Sequence, residues 1–168
     1  MEIVIMNYRD VEAASSCVLS SPLCAFEIKF YGNIIIQVKP TDLLPIGDPP
    51  LWLREVWKGL WNGERLEVTL GSFKKPSVLA EKVYGVVKDI PFGKTKSYSE
   101  VASLAGKPRA ARAVGTILRN NPWPLFVPCH RVIGKNGKLL GYGGPQGVEL
   151  KRRLLIYEAK VLNNSSAK

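Results

Sequence analysis

The stretch SYSEVASLAGKPRAARAVGTILRN, residues 97–120, decides how the second half of this chain folds. Ser97 followed three residues on by Glu100 is a capping box: the hydroxyl accepts from a free N–H at a helix start, and the carboxylate reaches back to the cap. The helix it opens carries Val101, Leu104 and Ala105. Gly106-Lys107-Pro108 then turns the chain, since proline cannot continue a helix and glycine tolerates the backbone that ends one. From Arg109 to about Asn120, Ala110, Ala113, Val114, Ile117 and Leu118 fall on one face at about 100° per residue. Two short helices around a glycine turn predict a helix-turn-helix. The far face of the second helix presents Ala111 and Gly115 flanked by Arg112, Thr116 and Arg119. Glycine inside a helix costs roughly 1 kcal/mol against alanine, so Gly115 points to something that approaches the backbone closely. Another helix would serve, but the two arginines favour a nucleic-acid groove.

Upstream, Val78, Leu79, Val83, Val86 and Val87 recur at helical spacing until Asp89-Ile90-Pro91-Phe92-Gly93 stops the run. The first part of the chain has a different period. Ile3–Met6, Cys17–Leu19 and the pair Ala25–Phe30 and Ile34–Val38 read as strands, the pair joined by Tyr31-Gly32-Asn33 as a hairpin. Four of the twelve prolines lie in residues 40–50, and Leu51–Leu60 then reads as a short amphipathic helix ending near Gly63. The expected fold class is α/β in the broad sense, of α+β type. A small strand-rich N-terminal domain with one helix spans 1–73, and a mainly helical, winged-helix-like domain spans 74–168.

The formal net charge of +10 is not shared evenly. Residues 1–73 carry 6 Lys+Arg against 9 Asp+Glu, a net of −3, and residues 74–168 carry 18 against 5, a net of +13. So lopsided a segment favours a polyanion, because each neutralised phosphate releases counterions; an acidic membrane surface is the competing partner. No run of about 18 apolar residues offers a membrane span, and the N-terminus lacks the basic start and long apolar run of a signal peptide. A cytoplasmic, nucleoid-associated location is expected. Three cysteines are too few for a disulfide framework. Cys17 and Cys24 read as ordinary core residues, with a bridge between them as the alternative, and no histidine stands near them to complete a zinc set.

The chemistry concentrates at Pro128-Cys129-His130-Arg131, where a thiol adjoins the only histidine of the chain. Trp123, Leu125, Phe126 and Val127 before it read as a buried strand, and the glycines after it as a loop. The thiolate is the nucleophile, and a neighbouring imidazole takes its proton directly or through a water. Successive side chains on extended backbone point opposite ways, so direct contact requires a turn at Cys129 and a bridging water is the easier geometry. The imidazole needs an orienting acceptor. Glu158, at the edge of an apolar stripe formed by Leu150, Leu154, Tyr157 and Val161, is the best candidate, against a surface ion pair with Lys160 or Arg153. A cysteine hydrolase would use the same pair. The basic surface favours instead a nucleic-acid substrate, and a thiolate that takes an alkyl carbon forms a thioether with no easy hydrolytic exit.

Residues 74–160 resemble the O6-alkylguanine-DNA alkyltransferase family. The run Asn121-Pro122-Trp123-Pro124-Leu125-Phe126-Val127-Pro128-Cys129-His130-Arg131-Val132 is similar to its Asn-Pro and Pro-Cys-His-Arg-Val signature. Lys96-Ser97-Tyr98, Ala110 to Gly115, Gly141-Tyr142-Gly143-Gly144 and Lys151 with Leu154, Leu155 and Glu158 match further motifs in the same order. The resemblance implies direct repair of O6-alkylguanine, with O4-alkylthymine as a second substrate, in double-stranded DNA. The alkyl group moves irreversibly to Cys129 in one turnover, with no cofactor and a monomeric protein; some relatives bind zinc in the first domain, but with no histidine in residues 1–73 no metal is expected here, and no membrane partner.

It implies further that His130 acts as base through water, Glu158 orients it and Asn121 braces the turn. Tyr98 rotates a phosphate and donates to the base, while Arg112 fills the gap left by a flipped nucleotide. Helix docking in the minor groove, with Ala111, Gly115, Thr116, Arg119 and Ser97 at the DNA, replaces the major-groove docking of a generic helix-turn-helix. Pro124, Leu139, Tyr142, Gly143 and Lys151 would line the pocket, with the carbonyls of Cys129 and Val132 accepting the guanine amine. Gly143 stands where some members place a serine. A lesion-binding protein without transferase activity is the rival reading, which Cys129 opposes.

Overall fold

In the computed structural model, residues 2–7, 10, 12–142 and 147–165 are described. The fold is mixed α and β. Contacts divide the chain into two compact units, 1–75 with 122–126 and 76–121 with 127–168. Residues 122–126, which a cut at 73/74 assigns to the second part, pack in the first, where two hydrogen bonds tie them to its strands. The Val38 N–H donates to the Pro122 carbonyl (2.9 Å), and the Trp123 indole N–H donates to the Gly71 carbonyl (3.2 Å).

In the first unit, β1 (Glu2–Ile5), β2 (Ser15–Ser20), β3 (Ala25–Tyr31), β4 (Ile34–Thr41) and β5 (Thr69–Ser72) form one sheet in the order β1-β5-β4-β3-β2. The hairpin is β3–β4, antiparallel, with Gly32 at φ +54° supplying the left-handed turn position. Helix α1 (Leu51–Trp61) covers the face on which Phe26 and Ile28 are fully buried. Trp57 meets both Phe26 and Trp61 edge-on with centroids 5.6 Å apart, and its indole N–H donates to the Ser20 carbonyl at 2.7 Å. The sequence reading has no strand at 69–72, yet β5 lies between β1 and β4, parallel to both. Its Thr-Leu-Gly-Ser run is too short to alternate visibly, and only long-range pairing makes it a strand. Cys17 is buried and Cys24 half-buried.

The second unit begins with α2 (Val78–Lys88), whose cap Ser77 accepts from the Ala80 N–H. Then come β6 (Lys96–Ser97), α3 (Tyr98–Leu104), α4 (Ala111–Arg119), a 3-10 turn at Cys129–Arg131, β7 (Val132–Ile133) and α5 (Gly147–Ser165). The capping box is formed: the Glu100 N–H donates to Ser97 Oγ (3.2 Å), and the Ser97 N–H donates to Glu100 Oε2 (2.7 Å). Ser97→Ala should lower unfolding stability by about 1 kcal/mol, read from the urea midpoint. Parallel pairing of Lys96 with Val132 and Ser97 with Ile133 ties this cap to the residues just after the cysteine turn. The fold thereby brings the start of α3 to the candidate site.

Three expectations are corrected. Helix α4 starts at Ala111 rather than Arg109, with Ala110 as its cap, because Pro108 and Arg109 are used in the turn. Its buried strip is Val114 and Leu118, and Ala113 is exposed, because the helix is rotated so that the Ala111 and Gly115 side is half-covered. The approach 123–127 is buried but is not a strand. Pro122, Pro124 and Pro128 remove backbone donors, and Leu125 has φ +79°, so the segment is a series of turns.

Candidate active site

A 3-10 turn over Cys129–Arg131 follows Pro128, and Cys129, His130 and Glu158 are all buried, at 6%, 2% and 3% exposure. The turn at the cysteine that direct thiol–imidazole contact requires is thus present. Asn121 lies just beyond α4 and spans it: its Nδ2 donates to the Val127 carbonyl (2.9 Å) and to Cys129 Sγ (3.3 Å). Burial pushes the Cys129 thiol up from its ordinary range. The Asn121 bond, the Lys151 charge and the backbone N–H groups of Cys129 and His130 oppose that. At rest the cysteine is therefore a neutral thiol that needs a base. Asn121→Ala should raise its pKa further. The measurement is the pH dependence of iodoacetamide labelling at Cys129, whose midpoint should move to higher pH by about one unit.

His130 is the imidazole next to Cys129 in the chain. Its Nε2 lies 2.7 Å from Glu158 Oε1, and its Nδ1 is buried with no hydrogen-bond partner among the described residues. Burial lowers the imidazole pKa below its ordinary value, against the hydrogen bond and charge of Glu158, which raise it. The ring of Tyr142 stands edge-on to it, with centroids 6.3 Å apart.

Glu158 lies at the centre of the buried stripe of α5 and not at its edge, since Gly147, Leu150, Lys151, Leu154 and Glu158 are the buried positions there while Tyr157 is half-buried. It pairs with neither Lys160 nor Arg153. Its carboxylate accepts from His130, from the Gly93 N–H (2.8 Å) and from Arg131 Nε and Nη2 (2.9–3.1 Å). Burial alone would raise its pKa, but the bonds and charges of His130 and Arg131 prevail and bring it down to about 2. Gly93 reaches the carboxylate at φ +71°, a left-handed backbone that favours glycine. Arg131 and Gly93 are the site residues that sequence reasoning missed. Their signals were present, an arginine inside the Pro-Cys-His-Arg run and a glycine closing Pro91-Phe92-Gly93, but nothing in the spacing told that both converge on α5.

Lys151, about two turns before Glu158 on the same stripe, is fully buried and donates to the carbonyls of Val132 (2.5 Å) and Leu140 (3.2 Å). Burial lowers its pKa to about 8, opposed by the Cys129 charge. Tyr98, half-buried at the start of α3, donates from its hydroxyl to the same Leu140 carbonyl at 3.4 Å, and the Lys151 ammonium sits 5.7 Å from its ring centre. Ser97 spends its hydroxyl on the cap. Arg112, Thr116 and Arg119 are exposed on α4, while Ala111 and Gly115 are half-buried. Val132 and Tyr142 are buried and Leu139 half-buried; Pro124 is half-buried in the first unit, and Gly143 lies outside the described residues.

Residues 79–160 match the family described as 6-O-methylguanine DNA methyltransferase, DNA binding domain. A crystal structure of the Mycobacterium tuberculosis O6-methylguanine methyltransferase is 31% identical, with a TM-score of 0.72, and the alignment covers 88% of this chain and 93% of that one. The chain belongs to the O6-methylguanine methyltransferase family. A second structure, that of M. tuberculosis OGT in complex with DNA, is 33% identical with a TM-score of 0.71, over 86% of this chain and 92% of that one. The constitutive methylated-DNA–protein-cysteine methyltransferase of Bacillus subtilis is 44% identical over 96 residues. That match takes in 57% of this chain and 58% of the relative's length. The family match contains Gly93, Tyr98, Asn121, Cys129, His130, Arg131, Lys151 and Glu158.

Proposed function

We propose that the protein repairs alkylated DNA by transferring the alkyl group of O6-alkylguanine to Cys129, in a single turnover. The observation that carries the reading is a buried thiol held by Asn121 beside an imidazole that is oriented by Glu158 and bare at Nδ1. In the reaction Cys129 Sγ attacks the alkyl carbon, the carbon–O6 bond breaks and its electrons pass to the guanine. The thiol proton leaves through a water to His130 Nδ1, and the guanine takes a proton in its place, with Tyr98 donating as charge develops on the base. The thioether that forms has no hydrolytic exit, so no regenerating step is required. O4-alkylthymine fits the same chemistry as a second substrate.

Reaching a buried thiol requires the nucleotide to leave the stack. In this reading α4 docks in the minor groove and Arg112 fills the space vacated by the flipped base. Gly115 supports it: a Cβ there would lie 3.9 Å from the Tyr98 ring, an ordinary contact, so packing within the chain does not demand the glycine. Arg112→Ala should weaken both duplex binding and transfer by about tenfold. A variant with both unchanged removes Arg112 from the interface. The Leu139–Tyr142 segment and the carbonyls of Cys129 and Val132 would line the pocket. Among the described residues no helix is long and apolar enough to cross a membrane.

The test is mass spectrometry after incubation with duplex DNA containing O6-methylguanine. One methyl group should appear on the peptide carrying Cys129 and remain there. Turnover beyond one equivalent would indicate a hydrolase, and binding without methylation a lesion-binding protein.

A further inference from the structure

Glu158 is shared between an imidazole and a guanidinium. Oε1 accepts from His130 Nε2 (2.7 Å), Arg131 Nη2 (2.9 Å) and Arg131 Nε (3.0 Å), while Oε2 accepts from the Gly93 N–H (2.8 Å) and Arg131 Nε (3.1 Å). The guanidinium is not free to leave. Its Nη1 donates to the Ile90 carbonyl at 2.8 Å, and it lies over the Phe92 ring, 5.4 Å from the centroid. Arg131 thus joins the loop after α2, the cysteine turn and α5, and its side chain is only 13% exposed.

We propose that Arg131 is a positioning residue that keeps His130 neutral until Cys129 gives up its proton, by holding Glu158 as its own ion partner. A buried carboxylate facing imidazole alone favours imidazolium, because an uncompensated buried anion is costly. With the guanidinium fixed on both oxygens that anion is already balanced, and a second cation on His130 would be in excess. The other groups around the imidazole act in the same direction or are neutral. From α5 comes the Lys151 charge, from the turn the protonated Cys129 thiol, and from the preceding loop the Tyr142 ring. Tyr84 of α2 and Tyr98 of α3 face the thiol. Glu158 is then free to do one thing for His130, which is to accept from Nε2–H and leave Nδ1 as the acceptor for the departing proton.

This inference rests on the base role given to His130 above, and its test separates the two. Because the chain has one histidine, its ring resonances titrate without ambiguity. In the unmodified protein, 15N spectra at pH 6.5 should show a neutral ring protonated at Nε2; imidazolium at that pH overturns the proposal. In Arg131→Gln the titration midpoint should rise by about one unit or more, as expected for loss of a nearby like charge, whereas Arg131→Lys should stay within a few tenths of the unmodified protein. An unmoved midpoint in Arg131→Gln, or equal shifts in the two variants, also overturns it. The acid limb of the single-turnover rate profile should move with the midpoint. If the unmodified protein transfers no alkyl group, the functional reading fails while the titration still decides the electrostatic one.

Discussion

Cys129→Ser is expected to lose at least about 10⁴-fold of alkyl transfer while folding and binding duplex DNA as before. A hydroxyl fits where the thiol sits, 6% exposed, and can still accept from Asn121 Nδ2. It holds its proton far more tightly, so the same neutral imidazole activates it far less than a thiol. Oxygen is also a poorer nucleophile toward alkyl carbon than soft, polarisable sulfur. The measurement is a single-turnover assay with labelled O6-methylguanine duplex, run beside fluorescence anisotropy for binding. Transfer at the unmodified rate would move the acceptor to another residue; lost binding would show that the thiol also helps shape the DNA surface.

Glu158→Gln should be the most damaging substitution for stability among the site residues, costing about 3 kcal/mol, because it leaves the largely buried Arg131 without its anion. The isosteric amide does not repair the loss. It offers one acceptor oxygen to the donors of His130, Gly93 and Arg131, and turns an NH₂ group toward others. Transfer should fall by about 10²-fold to 10⁴-fold, since the imidazole loses the acceptor that sets its tautomer.

The pH dependence gives an independent check. Glu158 has a folded pKa of about 2 against an ordinary 4.5. Its contribution is therefore fully present above about pH 4.5 and is lost as pH falls toward 2. Denaturation of the unmodified protein followed across that range should show stability declining with acid, and Glu158→Gln should flatten that part of the curve. A parallel decline in both proteins would mean that other carboxylates dominate the acid transition.

Much of this was readable before folding because it is local. The Ser97–Glu100 box, the helical period of Val78–Val87 and the glycine turn of the β3–β4 hairpin depend on residues a few positions apart, and all formed. The candidate thiol and imidazole were readable because adjacency of a thiol and the sole histidine is itself a sequence fact. The Asn-Pro and Pro-Cys-His-Arg-Val motifs, in order with the others, carried the family.

The failures share one cause. Strand β5 has a single large apolar residue, Leu70, and exists because β1 and β4, remote in the chain, flank it. Residues 123–127 are apolar enough for a strand, yet Pro124, the flanking Pro122 and Pro128 and a positive φ at Leu125 bend them into turns, of which 122–126 pack with the first unit.

By itself, then, the sequence determined most of the helices and the hairpin, where the basic charge gathers and which thiol is the candidate nucleophile, since these follow from period, composition and neighbouring side chains. Only the tertiary structure decided what surrounds that thiol and its imidazole. It set Glu158 at the centre of a buried stripe and brought Gly93 and Arg131 onto its carboxylate from segments 65 and 27 residues away. Burial then made those charges interact strongly, because low-dielectric surroundings turn a contact that water would screen into one that fixes protonation.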